Sequence, residues 1–268
     1  MRFDVPIPFK YYGGSSQFLK HIYSVFTEHR TYVEVFGGSA SVLLNKKPSE
    51  TEVYNDIDYN LVAFWRMLRD NPSELIRLLS LTLYSREEYN TAREILDKGG
   101  TDLDIAWAVF VAHRQTHSGI GYGWSYDTTT NRRNPLTFYR AAVHYLPKIH
   151  NRIRNIVIEN MDAFDVIAKY DSSETLFFLD PPYPRETIST SKQQYRYTFD
   201  DEQQRRLAET LPNIKGKFVL TVYSTDYYDA MLEHGVKKIT VNAQLWASLV
   251  RAGKRKNKVL SIYYRDAL

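Results

Sequence analysis

An aspartate, two prolines and a tyrosine follow a short apolar run, and residues of these types can together bind an amine. The run is residues 177–179 (Phe-Phe-Leu), and the group that follows it is Asp180, Pro181, Pro182 and Tyr183. Consecutive prolines restrict the backbone, so the Asp180 carboxylate and the Pro181 carbonyl are held rigidly after the predicted strand. Because open α/β sheets bind ligands at the carboxyl ends of their strands, the sequence predicts a ligand site here.

Two oxygen acceptors at this position suit methyl transfer to an exocyclic amine of a nucleic-acid base. The lone pair of such an amine is delocalised into the ring, and hydrogen bonds from both of its hydrogens favour a tetrahedral nitrogen. Transfer from a sulfonium is then direct and in line, without a covalent enzyme intermediate. The Tyr183 ring can stack on a base that has left the duplex. We therefore predict Asp180, Pro181 and Tyr183 as catalytic residues.

A glycine turn and an acid form a second group of candidate site residues. Residues 31–36 predict a strand, Gly37 and Gly38 end it, and a helical segment follows. Small residues at such a turn let a ligand approach the backbone closely. Asp56 ends the next predicted strand, where an acid can accept hydrogen bonds from two ribose hydroxyls. An equally good interpretation makes Asp56 the N-cap of the following helix.

The composition excludes other chemistries. The 268 residues include no cysteine, which rules out disulfides, thiolate metal sites and a cysteine nucleophile. Methylation of cytosine at C5 needs such a thiolate, so this reaction is excluded as well. His113 and His117 have the spacing of a zinc pair, but Arg114 stands where a His-Glu-x-x-His motif has its glutamate. We therefore expect no metal.

Strands and helices alternate along most of the chain, which predicts an α/β fold with a mainly parallel sheet. The predicted strands are residues 31–36, 51–54, 156–159, 176–179, 218–222, 239–241 and 259–264. Between the second and third of them, residues 61–149 are mainly helical and predict an inserted domain, which leaves 1–60 and 150–268 for the sheet. No apolar run is long enough for a membrane span, and the N-terminus lacks a signal peptide, so we expect a cytoplasmic protein.

The motifs, taken in order, resemble those of the Dam-type DNA adenine N6-methyltransferases with the alpha-group motif order. The resemblance covers nearly the whole chain. It is carried by residues 8–14 (Pro-Phe-Lys-Tyr-Tyr-Gly-Gly), 34–45, 55–58 (Asn-Asp-Ile-Asp), 160–164 (Asn-Met-Asp-Ala-Phe) and 180–183, with Tyr195, Phe199 and Gln203 at family-like spacings. It implies a Rossmann-like class I methyltransferase sheet with an inserted, mainly helical target-recognition domain.

The resemblance also implies a cofactor and the residues that hold it. The methyl donor would be S-adenosyl-L-methionine, and no metal would be needed. The implied cofactor-binding residues are Tyr11, Ser15, Phe36, Gly38, Asp56, Asp162, Phe164 and Asp180, of which Asp162 and Phe164 would hold the adenine. Ser15 stands where the family has a lysine, so that contact departs from the family pattern.

Double-stranded DNA is the expected partner, and a long loop carries residues suited to contact it. The candidates are Tyr122, Trp124, Arg132, Arg133 and Asn134 in loop 118–134, and Lys254 and Arg255 before the last strand. Arginine reads guanine edges and asparagine reads adenine, while basic side chains contact phosphates. The alternative is a solvated loop whose aromatic side chains fold back on the helices. The resemblance is also compatible with a monomer and with a companion restriction endonuclease.

Two alternatives to DNA methylation remain at this level. One is methylation of RNA adenine or of a protein glutamine; the enzymes for these often carry a tryptophan in place of Tyr183 or an asparagine in place of Asp180. The other is a non-catalytic DNA- or cofactor-binding module, of which Ser15 would be a first sign. An intact Asp180 argues against such a module.

We predict that replacing Arg132 and Arg133 together by alanine weakens DNA binding and flattens its dependence on salt, because fewer counterions are released per bound protein. DNA affinity is measured at salt concentrations from about 50 to 200 mM, the range over which phosphate contacts respond strongly. The slope of log affinity against log salt is then compared between the two proteins. A slope identical to that of the unmodified protein would refute the assigned contact.

Overall fold

The computed structural model describes residues 5–11, 17–116, 123–125, 135–183, 196–243 and 258–266. Several residues with predicted roles lie outside these ranges, and their predictions stand as made from the sequence. They are Ser15, Tyr122, Arg132, Arg133, Asn134, Tyr195, Lys254 and Arg255.

A sheet with the strand order β3-β2-β1-β4-β5-β7-β6 forms the centre of the described chain. Its strands are β1 (Thr31–Glu34), β2 (Thr51–Asn55), β3 (Val157–Glu159), β4 (Thr175–Leu179), β5 (Lys217–Tyr223), β6 (Lys237–Ala243) and β7 (Lys258–Arg265). Strands β1 to β5 are parallel to one another, and β7 runs antiparallel between β5 and β6. The predicted strands and the mainly parallel α/β architecture are confirmed.

Helices cover the sheet and fill the stretch between β2 and β3. They are α1 (Leu19–Ser24), α2 (Ser41–Asn45), α3 (Tyr59–Asp70), α4 (Pro72–Leu81), α5 (Arg86–Lys98), α6 (Asp102–Arg114), α7 (Pro135–Ile153), α8 (Ala163–Tyr170), α9 (Asp201–Thr210) and α10 (Asp226–Asp229). Short 3₁₀ turns follow α9 and α10, at Leu211–Asn213 and Ala230–His234. None of the described helices is long and apolar enough to cross a membrane.

Helices α3 to α7 lie between β2 and β3 in the chain, where the helical insertion was predicted. Their apolar side chains share one core with the sheet, because Phe64 of α3 and Leu146 of α7 belong to the same buried cluster as Tyr32 and Phe178. The division at residues 61 and 149 into two domains therefore stays a prediction. Helix α7 continues through Pro147 to Ile153, past residue 149 where the predicted insertion ends, with Ile149 and Ile153 buried in the core.

The sheet brings the candidate site residues to one edge. The register pairs Glu34 of β1 with Tyr54 of β2 on one side and with Phe178 of β4 on the other. All five residues of β4 are buried, so its end at Leu179 is fixed by the core. The glycine turn after β1, Asp56 after β2 and Asp180 after β4 consequently emerge side by side.

A buried group of charges ties β2 to α2 and α7 on the core side of the sheet. Glu52 accepts hydrogen bonds from Lys46 and from Arg152, whose Nη2 lies 2.8 Å from Glu52 Oε1. The three side chains are only 3%, 6% and 12% exposed for Lys46, Glu52 and Arg152. Arg152 Nη2 also donates to the carbonyl of Leu43, at 2.7 Å. One carboxylate thus compensates two cations that have little contact with water.

We predict that Glu52→Gln lowers the free energy of unfolding by about 3–5 kcal/mol, because it leaves Lys46 and Arg152 buried without a compensating charge. Urea unfolding measures the loss. Glu50→Gln is the matched control, since Glu50 pairs with Arg30 at the surface with 65% of its side chain exposed, and its cost should stay within about 1 kcal/mol. Equal losses for the two variants would contradict this account.

Candidate active site

A pocket opens at the carboxyl ends of β1, β2 and β4 and collects much of the predicted site. Its walls include Tyr11, Phe36, Gly38, Asp56 and Asp180, and it holds about 780 Å³ of empty space that is partly open to solvent. Five predicted residues from four separate parts of the chain therefore meet in one cavity.

Both backbone polar groups of Gly38 are hydrogen-bonded to side chains. Its N–H donates to Asp56 Oδ2 at 2.8 Å, while its carbonyl accepts from the Tyr54 hydroxyl at 2.9 Å and from the Trp65 indole at 3.1 Å. Gly38 has φ = +49°, and a Cβ there would lie 3.1 Å from the Tyr11 ring. Both facts favour glycine at this position, and the three hydrogen bonds hold the turn that lines the pocket.

Asp56 is not the N-cap of the helix that follows it. That position belongs to Asp58, whose side chain accepts a hydrogen bond from the N–H of Asn60. Asp56 Oδ1 instead accepts from the N–H of Asp58 at 2.9 Å, while Oδ2 takes the N–H of Gly38. The capping interpretation of Asp56 is wrong, and the carboxylate faces the pocket with both oxygens already oriented by backbone groups.

Asp162 and Phe164 lie beside the pocket and are not among its walls. Asp162 is the N-cap of α8 and accepts from the N–H of Phe164 at 2.9 Å. The Phe164 ring is stacked with Phe199, at 6.2 Å between centroids, and Phe199 meets Phe36 edge-on at 5.2 Å. Phe199 and Phe36 do line the pocket, so Phe164 supports its aromatic wall from behind.

Asparagines fasten the segment before α8 to the end of β2. Asn55 donates to the carbonyls of Val35 and Met161, at 2.9 and 3.1 Å, and accepts from the N–H of Met161. Asn160 donates to the carbonyl of Asp56 at 2.8 Å. The family-like residues 55–58 and 160–164 are thus brought into direct contact.

The turn that contains Asp180 is held by side chains that the sequence analysis did not select. The Thr221 hydroxyl lies 2.8 Å from Asp180 Oδ1, and Gln204 Nε2 donates to the carbonyl of Pro182 at 2.7 Å. Tyr183 meets Tyr223 edge-on, with ring centroids 4.7 Å apart. A threonine within a buried apolar strand and a glutamine on the apolar face of α9 were the available signals.

Acidic side chains dominate the polar part of the pocket. Glu34 lies among its walls, and desolvation raises the pKa of this carboxyl to about 8 although the Tyr32 hydroxyl and the Leu43 N–H donate to it. Desolvation likewise raises the pKa of Asp56 to about 7. Asp58 also lines the pocket, and Arg196 lies 3.6 Å from its carboxylate. A bound cation would relieve the cost of ionising these groups.

Trp124 is the one predicted DNA-contact residue that the structure describes. Its ring packs near Tyr84, with centroids 6.2 Å apart, and the Arg86 guanidinium lies 4.7 Å above it. The indole N–H points to Gln115 Oε1, at 3.4 Å. This part of the loop therefore lies against the helices, and DNA contact by Trp124 stays a prediction.

The strand order, with one antiparallel strand near its edge, and a pocket at the carboxyl ends of β1 and β2 are those of the Rossmann-like class I methyltransferase fold that the resemblance implies. The sequence model of the family described as D12 class N6 adenine-specific DNA methyltransferase matches residues 11–245, so the chain belongs to that family. It is therefore an adenine-specific DNA methyltransferase, and membership implies S-adenosylmethionine as the methyl donor.

Relatives with known names agree with this class. The chain is 24% identical to the type II methyltransferase M.MjaIII of Methanocaldococcus jannaschii, over 94% of this chain and 96% of that protein. It is 25% identical to M1.LlaDCHI of Lactococcus lactis subsp. cremoris, over 80% and 79%. It is 24% identical to M.CviBI of Paramecium bursaria Chlorella virus NC1A, over 81% and 83%.

Solved structures resemble this one only distantly. A putative rRNA-methylase from Clostridium thermocellum superposes with a TM-score of 0.40 at 10% identity, covering 93% of this chain and 95% of that one. The rRNA methyltransferase aviRa from Streptomyces viridochromogenes gives 0.34 at 12% identity, covering 92% and 83%.

The residues of the pocket fit S-adenosylmethionine. Its sulfonium and ammonium groups are cationic, and the polar walls carry the carboxyls of Glu34, Asp56, Asp58 and Asp180. The glycine at residue 38 leaves room against the backbone, where a Cβ would stand close to Tyr11. The charge and the free space thus both match the cofactor that the family implies.

We predict that Asp56→Asn weakens cofactor binding more at high pH than at low pH. The pKa of Asp56 is raised to about 7, so the carboxyl is protonated below this pH and gains its negative charge as the pH rises through it. The ratio of the two dissociation constants should grow by up to about tenfold between pH 6 and pH 8.

Calorimetric titration of the two proteins with S-adenosylmethionine measures this ratio. The ratio cancels the titration of the ligand's own amino group, and Asp97→Asn on the exposed side of α5 serves as the control with no expected effect. A ratio that stays constant with pH would contradict the placement of the Asp56 charge beside the cofactor.

Proposed function

We propose that this enzyme transfers the methyl group directly to N6 of an adenine that has turned out of duplex DNA, at the carboxyl ends of β1 and β4. One observation carries the proposal: Asp180 and the glycine turn at Gly38 line the same pocket. An acceptor for the amine and a floor for the cofactor therefore adjoin each other. In-line transfer between two bound groups requires this arrangement.

The catalytic roles follow from the chemistry of the amine. The Asp180 carboxylate and the Pro181 carbonyl accept the two N6 hydrogens, which localises the nitrogen lone pair for attack. As the new carbon–nitrogen bond forms, the bond from the methyl carbon to sulfur breaks and its electron pair stays on the leaving thioether. The amine becomes cationic and then loses one proton. Asp180 already accepts one of these hydrogens and can hold that proton. No covalent bond to the protein is needed.

Other residues hold the base and the cofactor. When bound, S-adenosylmethionine supplies an electrophilic methyl group on sulfur. Tyr11, Phe36 and Gly38 line the cofactor site, and Asp56 accepts hydrogen bonds from the ribose of the cofactor. Asp162 and Phe164 support the adenine end through Phe199, whose ring contacts both Phe164 and Phe36.

The Tyr183 ring stacks on the extruded adenine, a role that its position after the Asp-Pro-Pro turn supports. Its edge-on neighbour Tyr223 limits how the ring can rotate. Removal of the base from the duplex is required because the N6 group is otherwise out of reach of an enzyme pocket. Loop 118–134 and the basic run at Lys254 and Arg255 supply DNA contacts on this account.

The named relatives are type II methyltransferases, and we extend the proposal to a restriction–modification role. A companion endonuclease would then cut the same DNA sequence when it is unmethylated. The absence of cysteine keeps cytosine C5 out of reach of this chain. The enzyme acts as a monomer in this proposal, and it needs no metal.

We predict that Asp180→Ala reduces methyl transfer by at least about a hundredfold, because it removes an acceptor of the amine hydrogens, while the protein stays folded. The measurement is transfer of a tritiated methyl group to unmethylated DNA, to RNA and to a protein extract. Asp97→Ala removes an exposed acid on α5 and should leave the rate unchanged.

If the tritium label enters only RNA or protein, DNA is not the substrate and the proposed function is wrong. Near-normal turnover by Asp180→Ala would show that the catalytic site lies elsewhere. Circular dichroism on the same variant checks that it stays folded, and cofactor calorimetry separates a loss of cofactor affinity from a loss of transfer.

A further inference from the structure

Two buried polar side chains converge on the catalytic turn from neighbouring elements. Thr221 of β5 and Gln204 of α9 are both fully buried, with no exposed surface. A buried polar group that lacks a hydrogen-bond partner costs free energy, so buried polar side chains usually make hydrogen bonds. The partners of Thr221 and Gln204 therefore indicate the structural roles of these side chains. Both side chains direct a hydrogen bond to the turn after β4.

Thr221 orients the Asp180 carboxylate. Strands β4 and β5 are parallel and pair Leu179 with Leu220. Asp180 and Thr221, which follow these two residues in the chain, are therefore neighbours. The hydroxyl lies 2.8 Å from Asp180 Oδ1 and 3.3 Å from the carbonyl of Leu179. It has a single hydrogen, and the shorter, charge-assisted contact to the carboxylate takes it. Rotation of the carboxylate about its own axis is thereby restricted.

Gln204 holds the peptide that leads into Tyr183. Its Nε2 donates to the carbonyl of Pro182 at 2.7 Å and points to that of Phe199 at 3.4 Å. A proline fixes its own φ but leaves the direction of its carbonyl to be set by other contacts. Gln204 therefore sets the plane of the peptide between Pro182 and Tyr183.

Tyr228 decides which way the Gln204 amide faces. Its hydroxyl donates to Gln204 Oε1, and burial keeps the Tyr228 pKa far above its ordinary value, so the hydroxyl stays protonated. With its oxygen occupied by this donor, the amide presents its NH₂ group to Pro182 and Phe199. The chain of contacts runs from Tyr228 through Gln204 to the catalytic turn.

We propose that Thr221 and Gln204 are positioning residues of the methyl transfer. Thr221 sets the carboxylate of Asp180, and Gln204, oriented by Tyr228, sets the backbone from which Tyr183 projects. This inference rests on the proposed roles of Asp180 and Tyr183. It assigns the alignment of the amine to α9 and β5, which lie outside the Asp-Pro-Pro-Tyr motif.

The first test compares Thr221→Val, which keeps the shape and removes the hydroxyl, with Thr221→Ser, which keeps the hydroxyl. Single-turnover methylation at saturating DNA and cofactor gives the transfer rate, and calorimetry gives the cofactor affinity. We expect Thr221→Val to slow methyl transfer about tenfold to a hundredfold. Its cofactor affinity should stay within about twofold of that of the unmodified enzyme. Thr221→Ser should keep most of the transfer rate.

Thr175→Val is the matched control, because Thr175 is buried at the other end of the adjacent strand and donates to the carbonyl of Tyr170 at 2.7 Å. It should lower the melting temperature and leave the transfer rate unchanged. A transfer rate unaffected by Thr221→Val overturns the proposal. The proposal is also overturned if Thr221→Ser is as slow as Thr221→Val, or if Thr221→Val and Thr175→Val lose the same amount of rate.

The second test is a double-mutant cycle between Gln204→Met and Tyr228→Phe. If Tyr228 acts only by orienting Gln204, Tyr228→Phe should slow transfer in the unmodified enzyme and have no further effect beside Gln204→Met. Additive rate losses would overturn the proposed chain of contacts. An active Asp180→Ala variant would overturn the proposed function itself, whereas an inactive one beside a fully active Thr221→Val overturns this inference alone.

Discussion

The hydrogen bonds to the peptide of Gly38 are the constraint on which the site depends. A carboxylate after β2 holds the N–H, and a tyrosine of β2 and a tryptophan of α3 hold the carbonyl. These contacts join the turn after β1 to the next strand and to the first helix beyond it. Asp56 thus accepts two backbone hydrogen bonds, so the same carboxylate holds the turn in place and faces the pocket.

Carboxyl groups that are costly to ionise then suit the pocket to a cationic ligand. Desolvation raises the pKa of Glu34 to about 8 and that of Asp56 to about 7. The positive charge of a bound sulfonium compound would lower the cost of ionising these carboxyls.

The sequence predicts most of the elements, and it locates the site through residues whose neighbours are fixed by the backbone. Asp180 is found because two prolines restrict the chain after it, and Gly38 is found because glycine permits a tight turn that other residues rarely adopt. Asp56 has two interpretations in the sequence, and the residue at which α3 begins separates them, because Asp58 is the cap of that helix. Thr221 and Gln204 depend on the pairing of β4 with β5 and on the packing of α9, which no local pattern contains.

The identity of the modified nucleoside shows whether adenine N6 is the atom methylated at Asp180. Unmethylated DNA is incubated with the purified enzyme and S-adenosylmethionine, digested to nucleosides and analysed by mass spectrometry. The account predicts N6-methyldeoxyadenosine as the methylated nucleoside, with none formed by Asp180→Ala. Methylated cytosine, or N6-methyldeoxyadenosine formed equally well by the variant, would contradict it.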